Sequence, residues 1–268
     1  MMSDSDFQEH YRQIREADRL RVGPGRLEFA RTTEIIQRYV HFPATILDVG
    51  GGPGVYAAWL LNNGCDVDLV DPVQKHIEQA LHRFGEEGLK GTAQVGDARS
   101  LPFEDDCYDA VLVLGPLYHL TESADRVRAL TEARRVVRSG GVIFIAAISR
   151  FASLLDGFSR QLVHDPAFVQ ILERDLADGQ HRNPGENPQY FTTAYFHSPA
   201  DLMNEIAAAP LQLDALIGVE GPFWCMGNFD ELWNDPSLRQ LMLDTLRKIE
   251  LEPSLLGASA HWLAIARK

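Results

Sequence analysis

The stretch Thr45–Gly54, with the sequence TILDVGGGPG, constrains the fold of this chain more than any other. It begins with an apolar run of strand length, ends in a glycine-rich turn, and is followed at once by an apolar helical pattern. Glycines at positions 50, 52 and 54 allow backbone angles that are closed to other residues and let a ligand approach the main chain. The stretch therefore predicts a strand, a tight turn and a helix whose first N–H groups can face a ligand.

Two classes of ligand compete for such a turn. The segment Gly52–Ala57 also satisfies the loose dinucleotide pattern G-x-G-x-x-G/A. Asp48, close to the end of the strand, would meet a pyrophosphate with like charge, whereas it would attract a cation. S-adenosylmethionine carries a sulfonium and an ammonium and no phosphate, so the charge of Asp48 favours this cofactor.

The pattern Asp48-x-Gly50-x-Gly52-x-Gly54 resembles the first motif of class I S-adenosylmethionine-dependent methyltransferases, and residues 44–148 resemble that family in the order of their elements. The resemblance implies an α/β fold with a Rossmann-like, doubly wound, seven-stranded and mainly parallel sheet whose last strand is antiparallel. It also implies a single methyltransferase domain over residues 1–268. Within it we expect an N-terminal helical cap at 1–43, a cofactor-binding core at 44–148, a helical lid insertion at 149–199 and the rest of the sheet at 200–268.

A second predicted strand, Asp66–Asp71, ends in a carboxylate. Asp71 follows the glycine turn by roughly the 20 residues at which an acidic side chain meets ribose hydroxyls in nucleotide-binding folds. We assign Asp71 and the adjacent Pro72 to the cofactor site. The alternative for Asp71 is a carboxylate that caps a helix or closes the strand end.

A third predicted strand ends at Gly96-Asp97. The resemblance implies that Asp97 accepts a hydrogen bond from the adenine amino group and that the N–H of Ala98 meets a ring nitrogen. The alternative is that Asp97 is a turn residue that makes a local side-chain bond.

The apolar run Asp109–Leu114 has the composition of a central parallel strand and leads into Gly115–Leu120. Ligands of open α/β sheets lie beyond the carboxyl ends of the strands. We therefore place Leu114 in the cofactor site and regard Tyr118 and His119 as catalytic candidates that contact the acceptor. His119 could accept a proton at neutral pH, or it could only hold the loop in place.

Helical spacing of apolar residues predicts one helix over 7–21 and a second over 26–40. In the resembling family, N-terminal helices close over the cofactor. By that resemblance Tyr11 and Arg31 would contact its methionine end; the alternative is a solvated amphipathic helix.

After the fifth strand, residues 149–199 change to helical and aromatic patterns. In this lid, the aromatic group at 190–197 would form either a wall of the acceptor pocket or the lid's own small core. Further on we predict a strand over 211–219, one helix over 230–251 and a last strand over 258–266. His261, in mid-strand, reads as a packed residue.

Composition limits the partners and the compartment. The 268 residues include 25 basic and 38 acidic side chains, a net charge of −13, and contain no Lys/Arg block, so we expect no nucleic acid partner. Three widely separated cysteines fit neither a disulfide framework nor a zinc site and favour a reduced cytoplasm. We expect no membrane partner, because no apolar stretch approaches the roughly 18 residues of a spanning helix, and the N-terminus lacks the features of a signal peptide.

The sequence thus predicts an enzyme that moves a methyl group from S-adenosylmethionine to an O, N, S or C nucleophile of a small metabolite. Asn-Pro-Pro-Tyr, typical of amine methylation, is absent, and no acidic pair follows strand five, so no metal site is expected. Two alternatives remain. One is a catalytically silent S-adenosylmethionine-binding protein or a non-methylating enzyme that uses the same cofactor. The other is an NAD(P)-dependent oxidoreductase.

Overall fold

The structure is a computed structural model that describes residues 19–268. Tyr11 and most of the helix predicted over 7–21 lie outside the described residues. The chain divides into two compact units. The first consists of residues up to Thr32 together with Ala147–Asp201 and Leu216–Leu263. The second consists of Thr33–Ala146, Leu202–Ala215 and Ala264–Lys268.

The elements of the N-terminal half alternate between helix and strand, as a doubly wound fold requires. In chain order they are α1 (Gly25–Tyr39), β1 (Thr45–Val49), α2 (Val55–Asn62), β2 (Asp66–Asp71), α3 (Gln74–Glu86), β3 (Thr92–Val95), β4 (Tyr108–Val113), α4 (Pro116–His119), α5 (Ser123–Val136) and β5 (Val137–Ile148).

The C-terminal half adds the predicted insertion and the end of the sheet. Its elements are α6 (Ala152–Ser159), a 3-10 turn (Leu162–His164), α7 (Pro166–Asp178), β6 (Gln180–His181), β7 (Ala194–Tyr195), α8 (Pro199–Ala208), β8 (Gln212–Gly218), a 3-10 turn (Gly221–Cys225), α9 (Phe229–Asn234), α10 (Pro236–Ile249), a 3-10 turn (Pro253–Ala258) and β9 (His261–Arg267).

Seven strands form one sheet in the order β3-β2-β1-β4-β5-β9-β8. The pairs β1–β2, β1–β4, β2–β3 and β4–β5 are parallel, and the last strand, β9, is antiparallel. Ala110, Val111 and Leu112 of β4 are fully buried, as expected for a central strand covered on both faces. The predicted fold class is therefore confirmed.

The insertion after β5 builds its own apolar cluster from Phe168, Ile171, Leu172 and Tyr190. The rings of Phe168 and Tyr190 lie 5.0 Å apart. Tyr195, Phe196 and His197 are also buried, whereas Phe191 is half-buried. Of the two alternatives for these aromatic residues, burial favours the insertion's own core for all but Phe191.

The single helix predicted over 230–251 is wrong, because the structure has two helices, α9 and α10. Pro236 occupies the first turn of α10, where its missing N–H costs nothing. The side chain of Asp235 accepts hydrogen bonds from the N–H groups of Ser237 at 2.8 Å and Leu238 at 3.1 Å. Asp-Pro is thus a helix start, which the apolar spacing alone does not reveal.

Candidate cofactor and acceptor site

The glycine turn between β1 and α2 has the backbone angles that its sequence predicts. Gly50, Gly52 and Gly54 have φ values of +67°, +55° and +74°. A Cβ on Gly50 would lie 2.7 Å from ring carbons of Pro116, and one on Gly54 would lie 2.9 Å from Cβ of Ala80. A Cβ on Gly52 would meet no atom within 4 Å. Packing therefore requires glycine at 50 and 54, whereas Gly52 leaves open space above the main chain for a ligand.

Asp48, on β1 close to this turn, is a buried acid whose charge the backbone N–H of Ala57 offsets only in part. Its side chain is 1% exposed, and neither carboxylate oxygen has a hydrogen-bond partner among residues 19–268. Burial raises the pKa of Asp48 to about 7, and the neighbouring Asp71 carboxylate adds to the rise. A cation would stabilise this carboxylate, because burying a charge without a partner is unfavourable in free energy.

Asp71, at the end of β2, uses both carboxylate oxygens within the protein. Oδ2 accepts from the N–H of Gly52 at 2.9 Å, and Oδ1 accepts from the N–H of Val73 at 2.9 Å. Nδ1 of His76 lies 3.0 Å from Oδ1. The carboxylate thus ties the strand end to the glycine turn and to the start of α3, while Pro72 beside it is exposed. Contact of Asp71 and Pro72 with a ribose remains a prediction.

Asp97, after β3, makes the local bond of a turn residue. Its carboxylate accepts from the backbone N–H of Arg99 at 2.8 Å and forms an ion pair with the Arg99 guanidinium at 2.6 Å. Arg99 also pairs with Asp125 at 2.9 Å. The hydrogen bond from Arg99 holds the pKa of Asp97 below its usual range. Asp97 and Ala98 are both half-buried, and their contact with adenine remains a prediction.

The segment after β4 packs directly on the glycine turn. A Cβ on Gly115 would lie 2.9 Å from the carbonyl oxygen of Gly50 and 3.8 Å from the hydroxyl of Tyr118. The rings of Tyr118 and His119 lie 4.6 Å apart, edge to face. Leu114, Tyr118 and His119 are half-buried. The second unit therefore brings this segment and the Asp48 turn together, as the sheet topology predicts.

Arg126 of α5 anchors the end of that segment. Its Nη1 donates to the carbonyl oxygens of Leu120 at 2.7 Å and Thr121 at 2.9 Å. The same guanidinium pairs with Glu205 of α8 at 2.7 Å, and both side chains are buried. The sequence pattern predicted no role for Arg126. The signal that could have indicated this anchoring role is an arginine on a predicted helix, six residues after the segment Gly115–Leu120.

Arg31 of α1, the other predicted contact of the methionine end, belongs to the first unit. Its side chain is completely buried and its Nη2 forms an ion pair with Glu250. The guanidinium therefore has a structural partner within the protein. Contact with the cofactor remains a prediction for Arg31, as it does for Tyr11.

The first unit also contains a polar cluster that the sequence pattern did not predict. His261 is the first residue of β9, so its predicted position in mid-strand is wrong. Its Nδ1 lies 2.6 Å from Oε1 of Glu220 and 3.9 Å from Oε2 of Glu28. Glu28 in turn pairs with Arg19 at 2.5 Å. These residues are far apart in sequence, and only the Glu220-Gly221-Pro222 turn before the last strand hints at a special position.

S-adenosylmethionine, the cofactor that the resemblance implies, fits the residues of the second unit. The unpartnered buried carboxylate of Asp48 provides the negative charge that its ammonium or sulfonium requires. The open space at Gly52 provides the close approach to the main chain. Asp48, Gly50 and Gly52 would hold the methionine part of the cofactor, which carries the transferable methyl group.

Comparisons with known proteins agree with this fit. Residues 46–141 match the family model described as a methyltransferase domain. The methyltransferase GfsG of Streptomyces halstedii is 35% identical over 106 residues, which cover 38% of this chain and 37% of the relative. The ubiquinone/menaquinone biosynthesis C-methyltransferase UbiE of Acidiphilium cryptum is 34% identical over 114 residues, which cover 40% of this chain and 43% of the relative. The chain thus matches about two fifths of the length of these relatives.

A solved structure shows the same fold over most of the chain. A SAM-dependent methyltransferase from Methanosarcina mazei matches 87% of this chain and 96% of its own, with a TM-score of 0.60 and 20% identity. The residues 46–141 that match the family model contain the Asp48 motif and the strands β2, β3 and β4. The sequence motif, the domain match over residues 46–141 and the shared fold together support the class I S-adenosylmethionine-dependent methyltransferase family for this chain.

Proposed function

We propose that this protein transfers a methyl group from S-adenosylmethionine to a nucleophile of a small metabolite. The observation that carries the proposal is Asp48, a carboxylate that is fully buried beside an open glycine turn and has no partner among the described residues. A dinucleotide would bring a pyrophosphate to this charge, so the same observation disfavours an NAD(P)-dependent oxidoreductase.

In this proposal the bound cofactor supplies an electrophilic methyl carbon, and the protein supplies position and a dry environment. Asp48 and the glycine turn orient the methionine part, and the segment Gly115–Leu120 borders the acceptor. The insertion at 149–199 acts as a lid that selects the acceptor and excludes water. The insertion has an apolar cluster of its own, which supports a structural role separate from that of the cofactor-binding core.

The acceptor is proposed to be a small molecule. The name of the relative UbiE refers to ubiquinone and menaquinone biosynthesis, which supports a small-molecule acceptor. The net charge of −13 opposes nucleic acid as an acceptor. No helix among residues 19–268 is long and apolar enough to cross a membrane.

The first test is calorimetric titration of the protein with S-adenosylmethionine and, separately, with NADH. We expect micromolar binding of S-adenosylmethionine and none of NADH. Acceptors are then screened as panels of phenols, amines, thiols and carbon acids, with release of S-adenosylhomocysteine as the readout and product mass as the check.

Each result of this test separates the alternatives. Binding of the cofactor without a methylated product in every panel would favour a silent or non-methylating protein. NADH binding without S-adenosylmethionine binding would overturn the proposal and show that the charge of Asp48 had been misread.

A further inference from the structure

The two oxygens of the Asp71 carboxylate have different partners. Oδ1 accepts from the N–H of Val73 at 2.9 Å and lies 3.0 Å from Nδ1 of His76. Among residues 19–268, Oδ2 accepts one hydrogen bond, from the N–H of Gly52 at 2.9 Å. Oδ1 is thus bonded to the start of α3, whereas Oδ2 is bonded to the glycine turn after β1. All four residues belong to the second unit.

His76 donates to this carboxylate from within the protein. His76 is 4% exposed and Asp71 is 5% exposed, so packing fixes the position of each side chain relative to the other. Oδ1 already accepts a backbone N–H, and an ionised carboxylate has no proton to donate. Nδ1 of His76 is therefore the donor in the contact of 3.0 Å.

α3 holds His76 in place because the same face of the helix packs on the glycine turn. Ala80 follows His76 by four residues and therefore lies on the same face of α3. Ala80 is fully buried, and a Cβ on Gly54 would lie 2.9 Å from its Cβ. The position of His76 is thus tied to that of the turn.

The bonds that Asp71 already makes limit what a ligand can take from it. A carboxylate has roughly four acceptor positions, two on each oxygen. Val73 and His76 fill both positions of Oδ1, and Gly52 fills one position of Oδ2. The position that remains is on Oδ2, beside Gly52, where a Cβ would meet no atom within 4 Å.

We propose that His76 is a positioning residue of the cofactor site, which fixes the Asp71 carboxylate so that Oδ2 accepts from a single hydroxyl group of the cofactor's ribose. This inference rests on the proposed use of S-adenosylmethionine. A carboxylate that rotated freely could present its two oxygens to the two ribose hydroxyls. Because His76 occupies Oδ1, one hydroxyl reaches Asp71 and the other does not.

The alternative is a purely structural tie, in which His76 and Asp71 only fix the start of α3. The two roles differ in their effect on ligands. Loss of a structural tie weakens every ligand of the turn alike. Loss of a positioning residue weakens only those ligands that carry the hydroxyl group that Asp71 accepts.

The test measures Kd by calorimetry for S-adenosylhomocysteine and for its 2′-deoxy, 3′-deoxy and 2′,3′-dideoxy analogues. Wild type is compared with His76→Leu, which removes the donor, and with His76→Asn, whose side-chain amide can replace Nδ1 as a donor. His82→Leu is the matched control, because His82 is an exposed histidine of the same helix that pairs with Glu86. Melting temperatures establish that each variant is folded.

In wild type, removal of the hydroxyl that Asp71 accepts should weaken binding by about 10- to 100-fold, the size of a lost charged hydrogen bond. His76→Leu should weaken binding of S-adenosylhomocysteine and of one monodeoxy analogue by about 10-fold. Its affinity for the other monodeoxy analogue and for the dideoxy analogue should stay within about twofold of wild type, because these ligands lack that hydroxyl. His76→Asn should recover most of the affinity, and His82→Leu should match wild type.

Three results would overturn the inference and leave the proposed function intact. The first is an equal loss of affinity for all four ligands in His76→Leu, as a structural tie predicts. The second is no loss for any ligand. The third is a loss that shrinks by similar amounts with both monodeoxy analogues, which would show that Asp71 accepts from both hydroxyls. Failure of wild type to bind S-adenosylmethionine and S-adenosylhomocysteine would instead refute the proposed function.

A second measurement serves if His76→Leu does not fold. In wild type, the Nδ1–H resonance of His76 should shift when S-adenosylhomocysteine or one monodeoxy analogue binds, because a new bond to Oδ2 changes the charge on Oδ1. The resonance should stay in place with the other monodeoxy analogue and with the dideoxy analogue. A resonance that responds alike to all four ligands, or to none of them, would overturn the inference.

Discussion

Neither carboxylate oxygen of Asp48 has a hydrogen-bond partner among residues 19–268, so the affinity for the cofactor should depend on pH. With a pKa of about 7, Asp48 is neutral in acid and charged in base. Because the proposed contact needs the charged form, the Kd for S-adenosylmethionine should rise as the pH falls below 7, approaching tenfold per pH unit. Calorimetry between pH 5.5 and 8.5 measures this, with Asp48→Asn expected to bind weakly at every pH. A wild-type Kd that is flat with pH would contradict the assignment.

The same carboxylate should reduce the stability of the protein without cofactor. Its pKa is higher in the folded protein than the ordinary value of 3.8. The unfolded chain therefore loses the proton first, and this group's effect on stability becomes less favourable as the pH rises from about 4 to 7. The difference in melting temperature between Asp48→Asn and wild type should accordingly grow in favour of the variant between pH 5 and pH 8. An equal difference at both pH values would show that Asp48 is solvated or paired.

Arg31 and Glu250 form a buried ion pair, and breaking it should destabilise the fold. Removing one partner of such a pair leaves an uncompensated charge, so Arg31→Met should lower the free energy of unfolding by about 3 to 5 kcal/mol. Arg38→Met is the control, because Arg38 forms a half-exposed pair with Glu34 on the same helix and should cost less than about 1 kcal/mol. Urea denaturation measures both variants.

The cofactor affinity of Arg31→Met, measured where the variant is folded, decides the sequence-based prediction for this residue. An unchanged Kd would restrict Arg31 to its structural role, and a loss of tenfold or more would support contact with the methionine end. The motif around Asp48 could be interpreted from spacing alone. Arg31 could not, because a helix sequence does not show which carboxylate, 219 positions away, the arginine meets.

At the scale of elements, the segment after β4 depends on α5 for its position. Arg126 holds the carbonyl oxygens of Leu120 and Thr121 and pairs with Glu205. Arg126→Lys keeps the charge but loses the planar array of donors, so the loop that carries Tyr118 and His119 should shift. We expect a fall in the methyl-transfer rate of about 10- to 100-fold, because small displacements near a reacting group have effects of this size.

Steady-state kinetics and calorimetry test this together. The Kd for S-adenosylmethionine should change little, since the bonds of Arg126 to Leu120, Thr121 and Glu205 hold the segment after β4 and not the turn after β1. Arg134→Lys is the control, because Arg134 is a half-buried arginine of the same helix that donates to the carbonyl of Pro210. An Arg126→Lys rate equal to that of the control would show that the segment holds its position without this anchor.

Local sequence predicted the elements well where apolar spacing and glycine positions agreed. It failed where apolar spacing conflicted with a proline that starts a new helix. β1, α2, β2 and β4 follow from apolar runs and glycine punctuation, and they lie where predicted to within a residue or two. Apolar spacing predicted one helix over 230–251. The structure has a new helix that starts at Pro236, because proline is tolerated in the first turn of a helix and not in its interior. Asp235, the N-cap of this new helix, forms with Pro236 a local Asp-Pro signal that predicts the helix start.

At the scale of the whole molecule, the two ends of the insertion meet beside the end of β5. His197 donates its N–H to the carbonyl of Ile148 at 2.8 Å, and Arg150 donates to the carbonyl of His197 at 2.8 Å. The two ends of the insertion are therefore neighbours, and residues 151–196 can be replaced by a short Gly/Ser linker. Since the insertion has its own apolar cluster, its removal should leave the cofactor turn intact.

We expect the shortened chain to bind S-adenosylmethionine within about fivefold of wild type and to lose methyl transfer, because the proposed lid would exclude water and select the acceptor. Calorimetry and the acceptor panels measure the two properties separately. Full turnover in the shortened chain would remove the lid role from residues 149–199.

The sequence by itself determined the class of fold, the glycine turn after β1 and the carboxylate of Asp48 beside it. These depend on residues close together in the chain, where glycine angles, strand hydrophobicity and one carboxylate act locally. Only the tertiary structure decided which polar groups meet. The Arg31–Glu250 pair, the Arg126 anchor and the Glu220–His261 pair each join residues that are distant in sequence, and burial makes each contact strong. Proximity of this kind is a property of packing, so no local pattern specifies it.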